Sequence, residues 1–236
     1  QFTNADWVPQ TMVSRCHTDQ QNTRVLIQYP FMCRDFKVNY FTSNYPVSSF
    51  ESDRKRFLGE NEYGTWAHPL ALDKDELGNY EANRGDNIAA LLHHLGVIAP
   101  GGVKRIITQL GQEESLQKAT PQIERFRKSE EVDKAFKELS EFWSRYLSFM
   151  HVKTPDSCLN SMLNVHNPRQ CFITYNWSRY LSYYQLGLGT RGLGFRDSSQ
   201  DVMGVVDRIP EEGKKLIVKL LSVQKRDGSA MHQFNP

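Results

Sequence analysis

The stretch Ser129-Glu-Glu-Val-Asp-Lys-Ala-Phe-Lys-Glu-Leu-Ser-Glu-Phe-Trp-Ser-Arg-Tyr-Leu-Ser-Phe-Met150 divides the chain into two parts with different periodicities. Its apolar residues recur at helical spacing with lysines and glutamates between them: Val132, Phe136, Leu139, Trp143, Tyr146, Leu147 and Met150. The pattern predicts one long amphipathic helix with Ser129 as its N-cap. We expect the aromatic stripe of this helix to face a hydrophobic core.

The residues before this helix carry the pattern of strands and turns. Runs 25–29 and 36–41 are rich in β-branched and aromatic residues, and the apolar runs 88–95 and 103–110 follow them. Turn signals separate these runs at 43–46, 77–79 and 100–102. We therefore predict that residues 1–112 form strands of a sheet. The polar stretch 112–128 is then a linker between a β half and a helical half.

The residues after 150 favour further helices, at 157–165, 170–186 and 211–224. Pro168 is expected to break or kink the chain between the first two of these. Pro210 followed by two glutamates is typical of a helix start, since proline suits the first helical position and acids suit the first turn. The second half of the chain is therefore predicted to consist of helices joined by loops.

Composition excludes several classes of function. The 29 basic and 27 acidic residues are mixed along the chain, without the basic stripe of a nucleic-acid-binding protein. The sequence contains no run of eighteen apolar residues that would predict a membrane span, and its first residues lack a signal-peptide pattern. Four scattered cysteines, at 16, 33, 158 and 171, suggest free thiols in a reducing compartment. His93 and His94 are adjacent, which argues against a shared metal site.

The glycine-rich stretch Gly189-Thr-Arg-Gly-Leu-Gly-Phe-Arg-Asp-Ser-Ser-Gln-Asp201 suits the binding of a polyhydroxylated ligand. Glycine allows the backbone to approach a ligand closely. Two guanidinium groups and two carboxylates supply donors and acceptors for vicinal sugar hydroxyls: Arg191, Arg196, Asp197 and Asp201. We predict that this stretch is a sugar-binding loop between helices.

An alternative interpretation of the same stretch is purely structural. Asp197 or Ser198 could cap a helix that begins near Ser199. Asp201 would then complete an arrangement like a capping box.

Several segments resemble the cellobiose phosphorylase family, whose members are inverting β-glycoside phosphorylases. The segments are Phe50-Glu-Ser-Asp-Arg-Lys-Arg-Phe-Leu-Gly59, Asn176-Trp-Ser-Arg-Tyr-Leu-Ser-Tyr-Tyr184, Gly192-Leu-Gly-Phe-Arg-Asp-Ser-Ser-Gln-Asp201, Ile209-Pro-Glu-Glu212 and Asp227-Gly-Ser-Ala-Met-His-Gln-Phe-Asn-Pro236. The resemblance runs from about residue 36 to the end, and the Gly-Phe-Arg-Asp-Ser-x-Gln-Asp segment is its most specific part.

The resemblance implies a multidomain architecture of β structure followed by α structure. On this basis, residues 1–112 are the C-terminal part of an N-terminal β-sandwich, and residues 113–152 are a helical linker. Residues 153–236 are then the first hairpins of an (α/α)6 catalytic barrel.

The resemblance also implies an activity and a binding site. The enzyme would reversibly cleave a β-linked gluco-disaccharide or oligosaccharide such as cellobiose with inorganic phosphate, giving α-glucose 1-phosphate by inversion. Four residues would hold the sugar: Arg191, Arg196, Asp197 and Gln200. Ser178 and Arg179 also match the family, with helix packing as the alternative role. We expect a cytoplasmic homodimer that needs no cofactor or metal and binds neither nucleic acid nor membrane.

One departure from the family limits this chain's part in catalysis. The family's general acid lies in an Asp-Trp-Asn-Asp segment, which this chain does not contain. We therefore expect no catalytic residue here, and phosphate-binding residues in further polypeptide. A non-catalytic carbohydrate-binding module is the alternative function, since the acid is absent. A helical-repeat scaffold is a third, against which the lack of a 30 to 50 residue repeat counts.

Overall fold

The computed structural model describes residues 12–19, 23–30, 37–83, 86–177 and 193–234. The chain divides into two compact units, Gln1–Ala135 and Phe136–Pro236. The first holds most of the strands, and the second is mainly helical.

The described strands of the first unit form two antiparallel sheets. Four strands make the larger sheet, in the order β1, β2, β3, β6: β1 (Met12–Thr18), β2 (Arg24–Pro30), β3 (Val38–Ser43) and β6 (Thr108–Glu113). The smaller sheet pairs β4 (Ser49–Asp53) with β5 (Asn87–Leu92). Val25, Leu26 and Ile27 are all buried. Because successive side chains point to opposite faces of a strand, β2 is covered on both faces.

The two faces of β2 are covered by different elements. Gln28 donates a hydrogen bond from Nε2 to the Ile88 carbonyl (2.9 Å), which ties one face to β5. The other face packs against helix α2 (Leu116–Arg125), whose Ala119 and Ile123 join Val25, Ile27 and Tyr40 in one core cluster. The polar stretch that follows β6 therefore contains a helix of the first unit, packed on the sheet through two apolar residues one turn apart.

Most of the predicted strands are confirmed, with shifts at their ends. Runs 25–29 and 36–41 form β2 and, over its described residues, β3. Run 88–95 is a strand only as far as Leu92. The strand predicted at 103–110 begins later than expected, at Thr108. The backbone of the preceding Ile107 instead forms hydrogen bonds with Asn44.

The strand pattern missed a short helix between β4 and β5. Helix α1 (Arg54–Leu58) is capped by the side chain of Asp53, which accepts from the Arg56 amide at 3.0 Å. It ends at Gly59, whose φ of 75° suits glycine. Two 3₁₀ turns follow, Glu60–Glu62 and Leu70–Asp73.

The long amphipathic helix is confirmed as α3 (Ser129–Ser148), with Ser129 as its first helical residue rather than its cap. Phe142, Trp143 and Tyr146 pack on Phe172 with ring centroids 5.2 to 5.3 Å apart. The C-terminal part of the aromatic stripe, at Trp143 and Tyr146, therefore packs in a core.

The N-terminal end of this stripe does not face a core. Phe136 and Leu139 are 67% and 52% exposed, so for them the expectation of burial is wrong.

Pro168 does not break the helix as expected. Helix α4 (Ser157–Ser161), a π-helical turn (Met162–His166) and helix α5 (Asn167–Trp177) run without interruption. Proline lacks an amide hydrogen and its ring crowds the carbonyl four residues earlier, which here belongs to Asn164. Asn164 lies in the π turn, where the wider spacing leaves room for the ring.

The described residues of the second unit also form two helices and a short strand pair. They are β7 (Leu193–Gly194), helix α6 (Phe195–Met203), helix α7 (Pro210–Leu221) and β8 (Gln233–Phe234). Helix α7 starts at Pro210 as predicted. Leu193, Leu220 and Phe234 form a small core. The strand pair was not expected in a half predicted to consist of helices, since two residues show no period.

Candidate functional site

The predicted sugar-binding stretch is mostly a helix start rather than a loop. Strand β7 passes directly into α6, with Gly194 at the N-cap position in an extended conformation (φ −76°, ψ 124°). Arg196 and Asp197 lie in the first turn of the helix. The helix therefore begins four residues before Ser199, and the prediction of a loop is wrong here.

The capping alternative fails for the same reason. The Gly194 cap position has no side-chain hydrogen bond to the helix, and Asp197 and Ser198 are already helical. Glycine is tolerated at an N-cap. An acid in the first turn interacts favourably with the helix dipole, and Asp197 occupies such a position.

Strand β8 fixes the start of α6. Gly194 is paired with Gln233, and Leu193 with Phe234. The Phe195 amide donates to the His232 carbonyl at 3.1 Å. The resemblance covered residues 227–236 but assigned none of them to the site. Their position beside α6 comes from the strand pairing.

The guanidinium and carboxylate groups of the first turn lie together. Nη2 of Arg196 is 3.5 Å from Oδ1 of Asp197. The Arg196 side chain is 81% exposed and that of Asp197 is 34% exposed, so both can meet a ligand from solvent. A β-carbon built on Gly194 would lie 3.1 Å from Oδ2 of Asp197, which places the carboxylate against the glycine backbone.

The other predicted residues are placed as follows. Gln200 is exposed one turn after Arg196, so these two side chains share a face of α6. Ser198 and Val202 are buried on the packed side of the helix, and Oγ of Ser198 has no hydrogen-bond partner within the described ranges. Arg191 lies outside the described residues, as do Ser178 and Arg179.

Three open grooves among the described residues lie elsewhere. An open groove of about 420 Å³ follows α3, lined by Phe136, Leu139, Ser140, Trp143, Ser144, Leu147 and Arg169. Two grooves of the first unit, about 310 and 500 Å³, flank Gly78. Arg196, Asp197 and Gln200 line none of these three grooves.

The adjacent histidines His93 and His94 each have a hydrogen-bond partner. His93 bonds to the Pro46 carbonyl through Nδ1 (2.9 Å), and Nε2 of His94 lies 3.0 Å from Oε1 of Glu76. Over the described ranges, no three His, Cys, Asp or Glu side chains are grouped as metal ligands would be.

Cys16, Cys158 and Cys171 are free thiols, and burial raises the pKa of Cys16 to about 11. Among the helices described, none has the length and apolar character needed to cross a membrane.

Comparison with known proteins gives the family. Residues 1–129 match the supersandwich domain of glycosyl hydrolase 94, and residues 142–236 match the catalytic domain of the glycosyl hydrolase 94 superfamily. The supersandwich match agrees with the two antiparallel sheets of the first unit. The catalytic-domain match contains α6 and the strand pair.

Individual relatives are phosphorylases of disaccharides. The chain is 31% identical over 201 residues to an N,N'-diacetylchitobiose phosphorylase of Vibrio proteolyticus, which covers 84% of this chain and 24% of the relative. It is 23% identical over 234 residues to a 3-O-beta-D-glucopyranosyl-beta-D-glucuronide phosphorylase of Paenibacillus borealis, covering 92% of this chain and 28% of the relative. The chain thus spans about a quarter of the length of these relatives. The two domain matches together account for most of the sequence, and the chain belongs to the glycosyl hydrolase 94 family, as its resemblance to cellobiose phosphorylases predicted.

Proposed function

We propose that this chain is part of a glycoside phosphorylase that cleaves a β-linked disaccharide or oligosaccharide with inorganic phosphate and inverts the anomeric centre. Support comes from the family and from relatives that are named phosphorylases of two different disaccharides. The observation that carries the proposal is the pair of exposed Arg196 and partly exposed Asp197 at the start of α6, within the residues that match the catalytic domain.

The proposed substrate is broader than cellobiose. The similar chitobiose and glucosyl-glucuronide phosphorylases differ in the sugars that their names give. We propose that the sugar held by this chain is gluco-configured, and that cellobiose and N,N'-diacetylchitobiose are the first two substrates to compare. The non-catalytic module is not favoured, because residues 142–236 match a catalytic domain.

The proposed reaction is a single displacement. An oxygen of phosphate forms a bond to the anomeric carbon as the glycosidic carbon–oxygen bond breaks, and the leaving oxygen takes a proton from one carboxylic acid. An inverting hydrolase also needs a base to activate water. Phosphate is already an anion, so no base is required.

The proposed role of this chain in that step is to hold the sugar. The Asp197 carboxylate accepts hydrogen bonds from sugar hydroxyls, and the Arg196 guanidinium donates to sugar oxygens. Arg191 and Gln200 complete the proposed set. Each hydrogen bond between a charged group and the sugar contributes about 1.5 to 3 kcal/mol, or about one to two powers of ten in specificity.

The general acid is proposed to lie in polypeptide beyond this chain. A carboxylic acid that protonates a leaving group near neutral pH needs a raised pKa. Five carboxyl groups of the described part have a displaced pKa, and each is lowered by hydrogen bonding: Glu76, Glu114, Glu131, Asp133 and Asp227. None of these five suits the role.

The other properties of the enzyme are proposed from the family resemblance alone. The complete enzyme would act as a homodimer in the cytoplasm, with phosphate as co-substrate and no further cofactor.

The test is phosphorolysis by the full-length gene product, followed by proton NMR of the anomeric region. We expect an α-sugar 1-phosphate that forms only when phosphate is present. Residues 1–236 alone should form no product. A β-configured product, phosphate-independent hydrolysis, or turnover by residues 1–236 alone would contradict the proposal.

A further inference from the structure

The pairing of β7 with β8 brings a further polar side chain to the candidate site. Residues paired directly across an antiparallel ladder project from the same face. Leu193 and Phe234 are such a pair, and both are buried in the small core with Leu220. Gly194 and Gln233 are the next pair, so they project from the opposite face.

Asp197 occupies that opposite face. A β-carbon on Gly194 would point toward the Asp197 carboxylate and come within 3.1 Å of Oδ2. Paired β-carbons lie about 4.5 to 5.5 Å apart across a ladder, a distance that a glutamine side chain can span. The Gln233 side chain is therefore anchored on the same face as the Asp197 carboxylate.

The Gln233 amide is available to a ligand. Gln233 is exposed, and across the described ranges its side chain makes no hydrogen bond to another residue. Its backbone is held by the pairing with Gly194, and the neighbouring Phe234 is buried. The backbone pairing and the burial of Phe234 therefore hold Gln233 in position without a hydrogen bond from its side-chain amide to another described residue.

A carboxamide suits a sugar for a chemical reason. It donates through its NH₂ group and accepts through its oxygen, whereas a carboxylate only accepts and a guanidinium only donates. A hydroxyl group needs a partner of either kind. An amide beside Asp197 and Arg196 therefore adds a donor and an acceptor to the same small surface.

We propose that Gln233 is a sugar-binding residue, which contacts the same sugar ring as Asp197 through its side-chain amide. This inference rests on the proposed phosphorylase function. It assigns to the site a residue from the far end of the second unit, brought there by the pairing of β8 with β7.

The test uses the full-length gene product and the variants Gln233→Ala and Gln122→Ala. Gln122 is an exposed glutamine on α2 and serves as the matched control. Rates are measured against disaccharide at saturating phosphate and against phosphate at saturating disaccharide. Loss of one neutral hydrogen bond should lower kcat/KM for the disaccharide about three- to tenfold in Gln233→Ala. The KM for phosphate and the melting temperature should stay unchanged, and Gln122→Ala should match the wild type.

Calorimetric titration of the disaccharide without phosphate separates the two proposals. Weaker sugar binding in Gln233→Ala than in the wild type supports the inference. If the wild type binds the disaccharide but does not cleave it, the proposed function alone is overturned, and the binding comparison still tests Gln233. An active wild type with unchanged binding and kinetics in Gln233→Ala overturns the inference alone. A lower melting temperature with an equal effect on both substrates assigns Gln233 a structural role and also overturns it. A wild type that neither binds nor cleaves the disaccharide overturns both.

Discussion

The Asp197 carboxylate lies against Gly194, close enough that a β-carbon on the glycine would be 3.1 Å from Oδ2. This contact joins the end of β7 to the first turn of α6. Since β8 pairs with the same glycine, one backbone position organises both Asp197 and Gln233. The site thus depends on a residue that has no side chain.

Replacement of Asp197 by alanine should impair the enzyme without unfolding it. The side chain is partly exposed and contributes a first-turn charge, which has a stability effect of about 0.3 to 1 kcal/mol. In the full-length protein, we expect kcat/KM for the disaccharide to fall at least about tenfold. Steady-state kinetics and a melting curve measure the two effects. Asp75→Ala, at an exposed acid of the first unit, is the control and should retain full activity. Unfolding with normal specific activity in the folded fraction would favour a structural role for Asp197.

Gly194→Ala should act through the position of Asp197. The backbone conformation at this residue is allowed for alanine, so strain is not expected. The added methyl group would force the carboxylate to move by a few tenths of an ångström. We expect several-fold lower kcat/KM for the disaccharide, with a change of about 1 kcal/mol or less in the free energy of unfolding. Kinetics and urea denaturation test this. Unchanged kinetics would show that the position of the carboxylate does not matter.

Ile123→Ala should destabilise the first unit. Ile123 is 3% exposed and lies between α2 and the larger sheet. Its truncation should cost about 2 to 5 kcal/mol of unfolding free energy. Val103→Ala, at a residue that is 89% exposed, should change it by less than about 0.5 kcal/mol. Urea denaturation followed by circular dichroism gives both values. Equal stability of the two variants would mean that α2 does not pack on the sheet.

Tyr146→Phe should alter the alkaline stability of the second unit. Burial raises the pKa of Tyr146 to about 12, from the usual tyrosine value of 10.0. Between these two pH values the folded state holds a proton that the unfolded state has lost, so stability falls as pH rises. One such group contributes a slope of about 1.4 kcal/mol per pH unit at most.

The phenylalanine variant should lose that part of the slope, which urea denaturation between pH 10 and pH 12 would show. It should also lose about 0.5 to 1.5 kcal/mol at neutral pH, because the hydroxyl donates to the Pro168 carbonyl at 3.1 Å. Identical slopes in the two proteins would show that Tyr146 is not protected from ionisation.

Periodicity predicted the elements that are long enough to repeat. Helix α3 presents its pattern over 20 residues, and α7 begins with the expected proline and glutamates. The sugar-binding interpretation missed the helix at 195–203, because glycines precede it and the charged groups of its first turn suggested a loop. Phe195 and Val202 are seven residues apart, and this helical spacing is the signal that could have revealed it.

The exposed end of the α3 stripe shows another limit of pattern reasoning. Phe136 and Trp143 follow the same helical period. Trp143 packs on Phe172, whereas Phe136 is largely exposed. Periodicity identifies the apolar face of a helix, but the neighbouring elements decide which part of that face is covered.

Residue order was enough to predict the change from strands to helices, the family, and the presence of Arg196, Asp197 and Gln200 in one short segment. These properties depend on local spacing and residue type, which can be read from the order of the residues alone. The position of Gln233 on the Asp197 side of β7, in contrast, became known from the strand pairing. Two-residue strands have no readable period, and the pairing between them depends on the burial of Leu193 and Phe234 in a shared core. That burial is a contact between distant residues, so local pattern alone cannot predict it.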